Sequence, residues 1–315
     1  MDQHDYRIDR LRLLACFGVV MLHSSHGSGV GDLALNSLFR FSVPVFVIIS
    51  GYFMLSGPVT GLPKKMLHLF VRMVLCSGVY MLYAGSIPEN PILFLLTEPV
   101  HLWYLYATVG LYLLTPALLP FVRSASQQEY RYALVLCFLL GSCGVTLNRL
   151  GWFPLFGQIL DKSKLPVMLC FTGLYLFGGY CRKFGFSRRR EWLWAGIAAG
   201  ILSIAVSNTD LASDLLSFFS PIVVIPGAAC FVLFMTAEDV PEKYRALTAD
   251  ASKCTLGIYL FHTLVCDLIT PMIGIPREIL GGLPAMAVRG LCTFAVTFSA
   301  VWLLRRIPIA KKWML

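Results

Sequence analysis

Charge is scarce in this 315-residue chain: 14% of its residues are Asp, Glu, Lys or Arg, against about a quarter in soluble domains. With 57% hydrophobic residues beside it, that scarcity excludes an ordinary water-soluble domain. Paired cysteine spacings are also missing. The ten cysteines are scattered with no CxxC among them, which argues against a disulfide or zinc framework and for small apolar core residues. No internal repeat or low-complexity segment occurs, and no polar connection is long enough to bury a core of its own. Short alternating segments of about ten residues are absent too, which speaks against a transmembrane β-barrel.

What remains is a series of apolar runs, at about 11–28, 34–55, 66–84, 100–121, 132–149, 165–181, 192–207, 213–236, 254–273 and 284–304. Each approaches the length of about twenty residues that crosses a hydrocarbon core of about 30 Å. Backbone groups in lipid must be satisfied within the segment, so the expected fold is all-α: a polytopic transmembrane helix bundle of about ten spans. The start of the chain is read as an uncleaved first helix, because Ser24-Ser25-His26-Gly27 offers no clear cleavage pattern. A single integral-membrane domain over 1–315 follows, with no separate soluble domain. The outer stretch 151–166, with Trp152, Phe153 and Phe156, is expected at the interface or over an outer opening.

Basic residues orient the bundle. With the N-terminus inside, the inner segments hold Arg7, Arg10, Arg12, Lys64, Lys65, Arg123, Arg131, Arg182, Lys183, Arg188, Arg189, Arg190, Lys243, Arg245, Lys253, Arg305, Arg306, Lys311 and Lys312. The outer connections hold Arg149, Lys162, Lys164 and Arg277. This split of 19 to 4 puts both termini in the cytoplasm. It also explains the net charge of +9 as topology, without a nucleic-acid partner.

Ionisable residues at membrane depth are expensive and mark function by default. Arg12 and His23 lie eleven residues apart in the first span. At 100° per residue that is three turns plus about 20°, so they share one helix face, about 16 Å apart along the axis. Separately, Arg12 reads as a positive-inside anchor and His23 as a hydrogen-bonded bundle histidine. Together they offer an anion anchor and, deeper, a base or nucleophile. His26, one turn on, is a helix-end residue or a partner of His23.

At the start of the third span Lys65, His68 and Arg72 share a face at i, i+3 and i+7. Snorkelling to lipid phosphates suffices for Lys64 and Lys65. Arg72 is deeper, and with Arg12 it could build a cytoplasm-facing pocket for phosphates, which arginine binds bidentately. Arg40, ahead of Pro44, reaches the depth of His23 from the outer side, as a structural ion pair or a substrate contact. His101-Leu102-Trp103-Tyr104 reads as an outer aromatic belt, or Trp103 and Tyr104 as a stacking platform for a sugar ring. Tyr259 and His262 share a face of the ninth span, with Asp267 nearer its outer end.

Several stretches together resemble the acyltransferase-3 family of bacterial membrane acyltransferases. They are Ile8-Asp9-x-x-Arg12 with His23, Phe39-Arg40-x-Ser42-Val43-Pro44-x-Phe46, Ile49-Ser50-Gly51-Tyr52, His101-Leu102-Trp103-Tyr104-Leu105, Leu113-Leu114-Thr115-Pro116 and Gly257-Ile258-Tyr259-Leu260-x-His262. The resemblance runs along the whole chain in order. It implies a ten-helix bundle in the bacterial cytoplasmic (inner) membrane. Such a bundle passes an acyl group, usually acetyl, from cytoplasmic acyl-CoA to a hydroxyl of an envelope glycan or lipid-linked sugar. By the same likeness His23 is the catalytic residue and Arg12 its basic partner.

On this reading Arg12, Lys65, His68 and Arg72 hold the acetyl-CoA co-substrate, while Arg40, Trp103, Tyr104 and His262 contact the acceptor. No metal is expected. One departure stands out: where many relatives carry Arg-x-x-Arg at the start of the third span, this chain has Lys65-x-x-His68. A permease or exporter of a small polar solute is the alternative, with Arg40, His23 and Asp267 lining a pathway. The membrane half of vancomycin-resistance serine racemases, which some relatives in that family resemble, is the parallel for it. A purely structural bundle has no need of two deep histidines.

Overall fold

The computed structural model describes residues 4–25, 29–85, 88–97, 100–152, 155, 158–159, 162, 165–272, 283–308 and 310. His26, Phe153, Phe156, Lys164, Arg277, Lys311 and Lys312 lie outside the described residues. Every regular element among those described is helical. In chain order they are α1 (Tyr6–His23), α2 (Val30–Phe39), α3 (Ser42–Met54), α4 (Leu62–Tyr83), α5 (Pro91–Thr97), α6 (Trp103–Ser124) and α7 (Gln127–Phe138). A π-turn at Leu139–Cys143 leads into α8 (Gly144–Arg149). Then come α9 (Leu165–Phe184), α10 (Arg189–Val206), α11 (Ala212–Leu215), α12 (Pro221–Met235), α13 (Glu242–Ser252), α14 (Thr255–Ile269) and α15 (Leu283–Leu304).

A helix or helix pair overlies each expected span. Five lengths are long and apolar enough to cross a membrane: Val30–Met54, Val59–Tyr83, Trp103–Ser124, Gln127–Arg149 and Pro284–Leu304. The pair α13–α14, bent by 55°, makes a sixth if it counts as one span. The architecture is an all-α bundle that fits a membrane.

Three boundaries depart from the sequence expectation, each for a local reason. α1 opens at Tyr6, because the Asp5 carboxylate accepts the Arg7 backbone N–H at 3.1 Å and caps the first turn. It closes at His23: the Ser24 N–H bonds to the Val20 and Met21 carbonyls, and its Oγ donates to Val20 O at 2.8 Å. The serines and glycines that follow are weak helix formers. His23 is therefore the last residue of its helix. The second span is two helices, because Pro44 has no N–H to give and its ring crowds the carbonyl four residues back, that of Arg40. The chain breaks at Arg40–Phe41. In the eighth span only Pro221–Met235 is a long helix; the segment before it is short α11 and a turn through Leu216–Ser220.

α3 is apolar on all sides and sits in the core, with Val45, Val47 and Ile48 fully buried. Its closest neighbour is α9. A Cβ on Gly51 would overlap the Tyr175 carbonyl oxygen, and one on Gly178 would overlap that of Ile48. Backbones touch here because neither residue has a side chain. Gly51→Ala is expected to cost about 1–3 kcal/mol by forcing the pair apart. A lowered melting midpoint of the purified protein would show it, and an unchanged midpoint would contradict the contact.

α1 runs antiparallel to α3, with Gly18 against Ser42 at one end and Arg12 over Phe53 at the other. It also packs on α2, α12, α13, α14 and α15. Its two ends are where the candidate residues gather.

Candidate active site

The backbone around His23 is held by side chains from two other helices. The Leu22 carbonyl accepts from Asn36 Nδ2 at 3.0 Å, and the Ser24 carbonyl accepts from Arg289 Nε at 2.6 Å. These carbonyls at the end of α1 have no partner within the helix, and a guanidinium suits the negative end of its dipole. Asn36 is braced in turn by Arg40, whose Nε donates to Asn36 Oδ1 at 3.1 Å. Arg40 Nη1 donates to the Leu216 carbonyl at 2.8 Å, in the turn before α12, and its guanidinium lies 5.4 Å from the Phe218 ring centre. Arg40 is thus pinned by uncharged groups; among the described residues no ion pair involves it.

Three imidazoles meet at the end of α1. The His23 ring is 5.1 Å from that of His262 and 6.4 Å from that of His101, and the last two are 5.4 Å apart. His101 and His262 are buried. Their hydrogen bonds assign the tautomers, because a carbonyl can only accept. His101 Nε2 donates to Leu260 O at 3.2 Å, which leaves Nδ1 to accept from Thr263 Oγ1 at 3.4 Å. Tyr80 hydrogen-bonds that Thr263 hydroxyl, and the Tyr259 hydroxyl donates to the His101 carbonyl. His101 is therefore satisfied at both ring nitrogens. His262 is not: Nδ1 donates to Tyr259 O at 2.8 Å and to Ile258 O at 3.2 Å, while its buried Nε2 has no hydrogen-bond partner.

His23 opens onto a cavity of about 250 Å³. Its polar lining is His23, Asn36, Arg40 and His101, with no carboxylate among the described residues. Trp103, Tyr104, Phe218 and Tyr259 supply aromatic walls, and the Trp103 and Phe218 rings stand 5.4 Å apart. A cavity with aromatic faces, a fixed cation and two imidazoles suits a sugar-sized polar molecule presenting a hydroxyl.

The other end of α1 is different in character. Arg12 lies over the Phe53 ring at 5.2 Å and 3.9 Å from the buried carboxylate of Asp9, which His4 also contacts at 2.5 Å. Lys65 is exposed, with Nζ 3.6 Å from Met54 Sδ. Arg12 and Lys65 therefore flank consecutive residues at the C-terminal end of α3. His68 and Arg72 are half-buried, and the Arg72 Nε is buried without a partner.

The structure thus brings His23, Arg40, Trp103 and Tyr104 onto one cavity, with His262 against His23 but outside the lining. Arg12, Lys65, His68 and Arg72 do not line it. Tyr104 links the two ends: it lines the cavity and lies close enough to Arg12 to feel its charge. Asp267 is exposed and does not line the cavity that Arg40 and His23 share.

His101, read from sequence as part of an outer belt, turns out to be a buried member of the cluster; its position directly before Trp103-Tyr104 was the available sign. Asn36, four residues before Arg40, was also missed, although i,i+4 spacing puts the two side chains side by side. Arg289 gave no local signal.

The model of an acyltransferase-domain family, acyltransferase-3, matches residues 5–306. The chain belongs to this family, and with its apolar helices it is a membrane acyltransferase. No curated protein and no solved structure matches it.

Proposed function

We propose that the protein transfers an acetyl group from cytoplasmic acetyl-CoA to a hydroxyl of an envelope glycan or lipid-linked sugar. It would do so in the bacterial cytoplasmic membrane, as one domain of ten spans with both termini in the cytoplasm. The observation that carries this reading is His23, fixed at the end of α1 and facing a cavity with aromatic walls and the Arg40 guanidinium. The distribution of basic residues supports the orientation, and membership of the family supports acyl transfer.

In this mechanism His23 takes the proton of the acceptor hydroxyl as its oxygen attacks the thioester carbon. The carbon–sulfur bond then breaks, and the departing thiolate receives that proton. Attack by His23 itself, with the acyl group passing through the imidazole, needs the same side chain at the same place. Arg12 and Lys65 hold the donor's phosphates at the opposite end of the helix, with His68 and Arg72 behind them. Arg40 and Trp103 hold the acceptor, beside Tyr104.

The donor assignment has a direct test. Acetyl-CoA at about 100 times its Kd should stabilise the purified protein by about 2.7 kcal/mol, seen as a raised melting midpoint. Arg12→Ala should lose most of that rise. A full rise in the variant would remove Arg12 from the donor site, and no rise in the unaltered protein would remove acyl-CoA from the proposal.

A further inference from the structure

We propose that His262 is the positioning partner of His23, its Nε2 lone pair, unpaired in this structure, accepting a hydrogen bond once the neighbouring His23 ring turns toward it. This rests on the reading of His23 as the catalytic residue. Three observations lead to it. The Tyr259 and Ile258 carbonyls both claim Nδ1, so the proton sits there and Nε2 is a bare acceptor in the neutral ring. That Nε2 is buried, and no protein group satisfies it. A buried polar atom left unpaired is costly, and its persistence calls for an explanation. The explanation at hand is its neighbour, since the His23 ring lies 5.1 Å away, nearer than any other imidazole in the cluster.

The consequence for the reaction is specific. With one His23 nitrogen donating to His262, the other carries the lone pair of the neutral ring. That is the tautomer required either to accept a hydroxyl proton or to attack a thioester. When His23 takes the proton from the acceptor, the acceptor O–H bond breaks and the O–acyl bond forms. The C–S bond then breaks, and the proton passes to the thiolate. His262 gains and loses nothing overall; it holds the His23 ring and stabilises the imidazolium while it lasts. In serine hydrolases a buried carboxylate does this for histidine. A neutral imidazole does it here without a formal negative charge inside the membrane, which would be expensive at that depth. His101 has no such capacity, because both its nitrogens are already engaged.

The test uses the full chain in detergent, radiolabelled acetyl-CoA and an envelope membrane fraction as the acceptor source. His262→Asn keeps an N–H for the two carbonyls but has no acceptor where Nε2 stood. Its kcat should fall about 100-fold while KM for acetyl-CoA stays within about twofold. His262→Gln, whose amide oxygen reaches that place, should recover at least about tenfold of the loss. A His262→Asn kcat within about threefold of the unaltered protein, a loss carried mainly in KM, or a Gln variant no better than Asn would each overturn the proposal.

An observation free of folding questions is nitrogen-15 spectroscopy of the unaltered, histidine-labelled protein. Protonation of His262 at Nδ1 and a scalar coupling across an N–H···N bond to His23 are expected; lack of the coupling also overturns it. His23→Ala separates the two levels. If that variant transfers acetyl at the normal rate, the reading of His23 itself has failed. If it is inactive while His262→Asn is active, only the partnership has failed.

Discussion

Cells that depend on a His23→Ala variant should show envelope glycans stripped of the acetyl group that the proposed reaction adds, although the variant inserts and folds. Both halves of that result follow from the end of α1. The carbonyls either side of His23 are held through the backbone, by Asn36 and Arg289, so removing the imidazole leaves those bonds in place. The ring is half-buried at a cavity wall and carries little of the core. What disappears is the group that takes the hydroxyl proton or attacks the thioester, and loss of a positioned base costs at least about 10²–10⁴ in rate. Mass spectrometry of glycans from cells with the unaltered and variant proteins reads the chemistry, and a melting curve of the purified variant reads the fold. Normal acetylation by the variant would end the assignment.

Arg40→Ala should be the second large loss, and it should divide between binding and stability. Among the described residues the guanidinium is the one permanent charge on the cavity wall, with no carboxylate in the lining to balance it. Two of its N–H groups are committed, to Asn36 and to the Leu216 carbonyl, so it stands in a fixed place. A charged hydrogen bond to the acceptor is worth about 1.5–3 kcal/mol, so transfer at low acceptor concentration should drop about 10- to 100-fold with KM for acetyl-CoA unchanged. Asn36 also loses its brace, so the melting midpoint should fall. Arg40→Lys restores the charge but not the two-way grip and should recover only part of the transfer. Full transfer by Arg40→Ala, in the same glycan assay, would place the acceptor elsewhere.

Much of the fold was legible because lipid imposes a simple rule: each apolar run must satisfy its own backbone, so runs become helices. The rule says nothing about where a helix ends when the polar residues after it are short and few. Ser24 and the glycines beyond it were read as helix for that reason, and His23 was placed a turn too far from the end of α1. Pro44 was noticed, but its effect falls four residues upstream, at Arg40, where no sequence signal marks a break. The deep pair Arg12 and His23, and His262 as a second deep histidine, stood out through spacing and rarity. His101 did not, because next to Trp103 and Tyr104 a histidine has the look of an interfacial belt. Its burial depends on Tyr80, Thr263 and Tyr259, which come from helices distant in sequence. The pairing of Arg289 with Ser24 is likewise a contact between opposite ends of the chain, invisible to any local pattern.

In the proposed mechanism α1 also works as a ruler. A donor gripped by its charged groups near Arg12 must carry its acyl carbon about 16 Å further to reach the imidazole, the rise of eleven helical residues. A compact acyl phosphate or a short thioester can occupy one end or the other, never both. Reach alone thus selects molecules whose charge and cargo are set apart by a long slender arm, before a single specific contact is made.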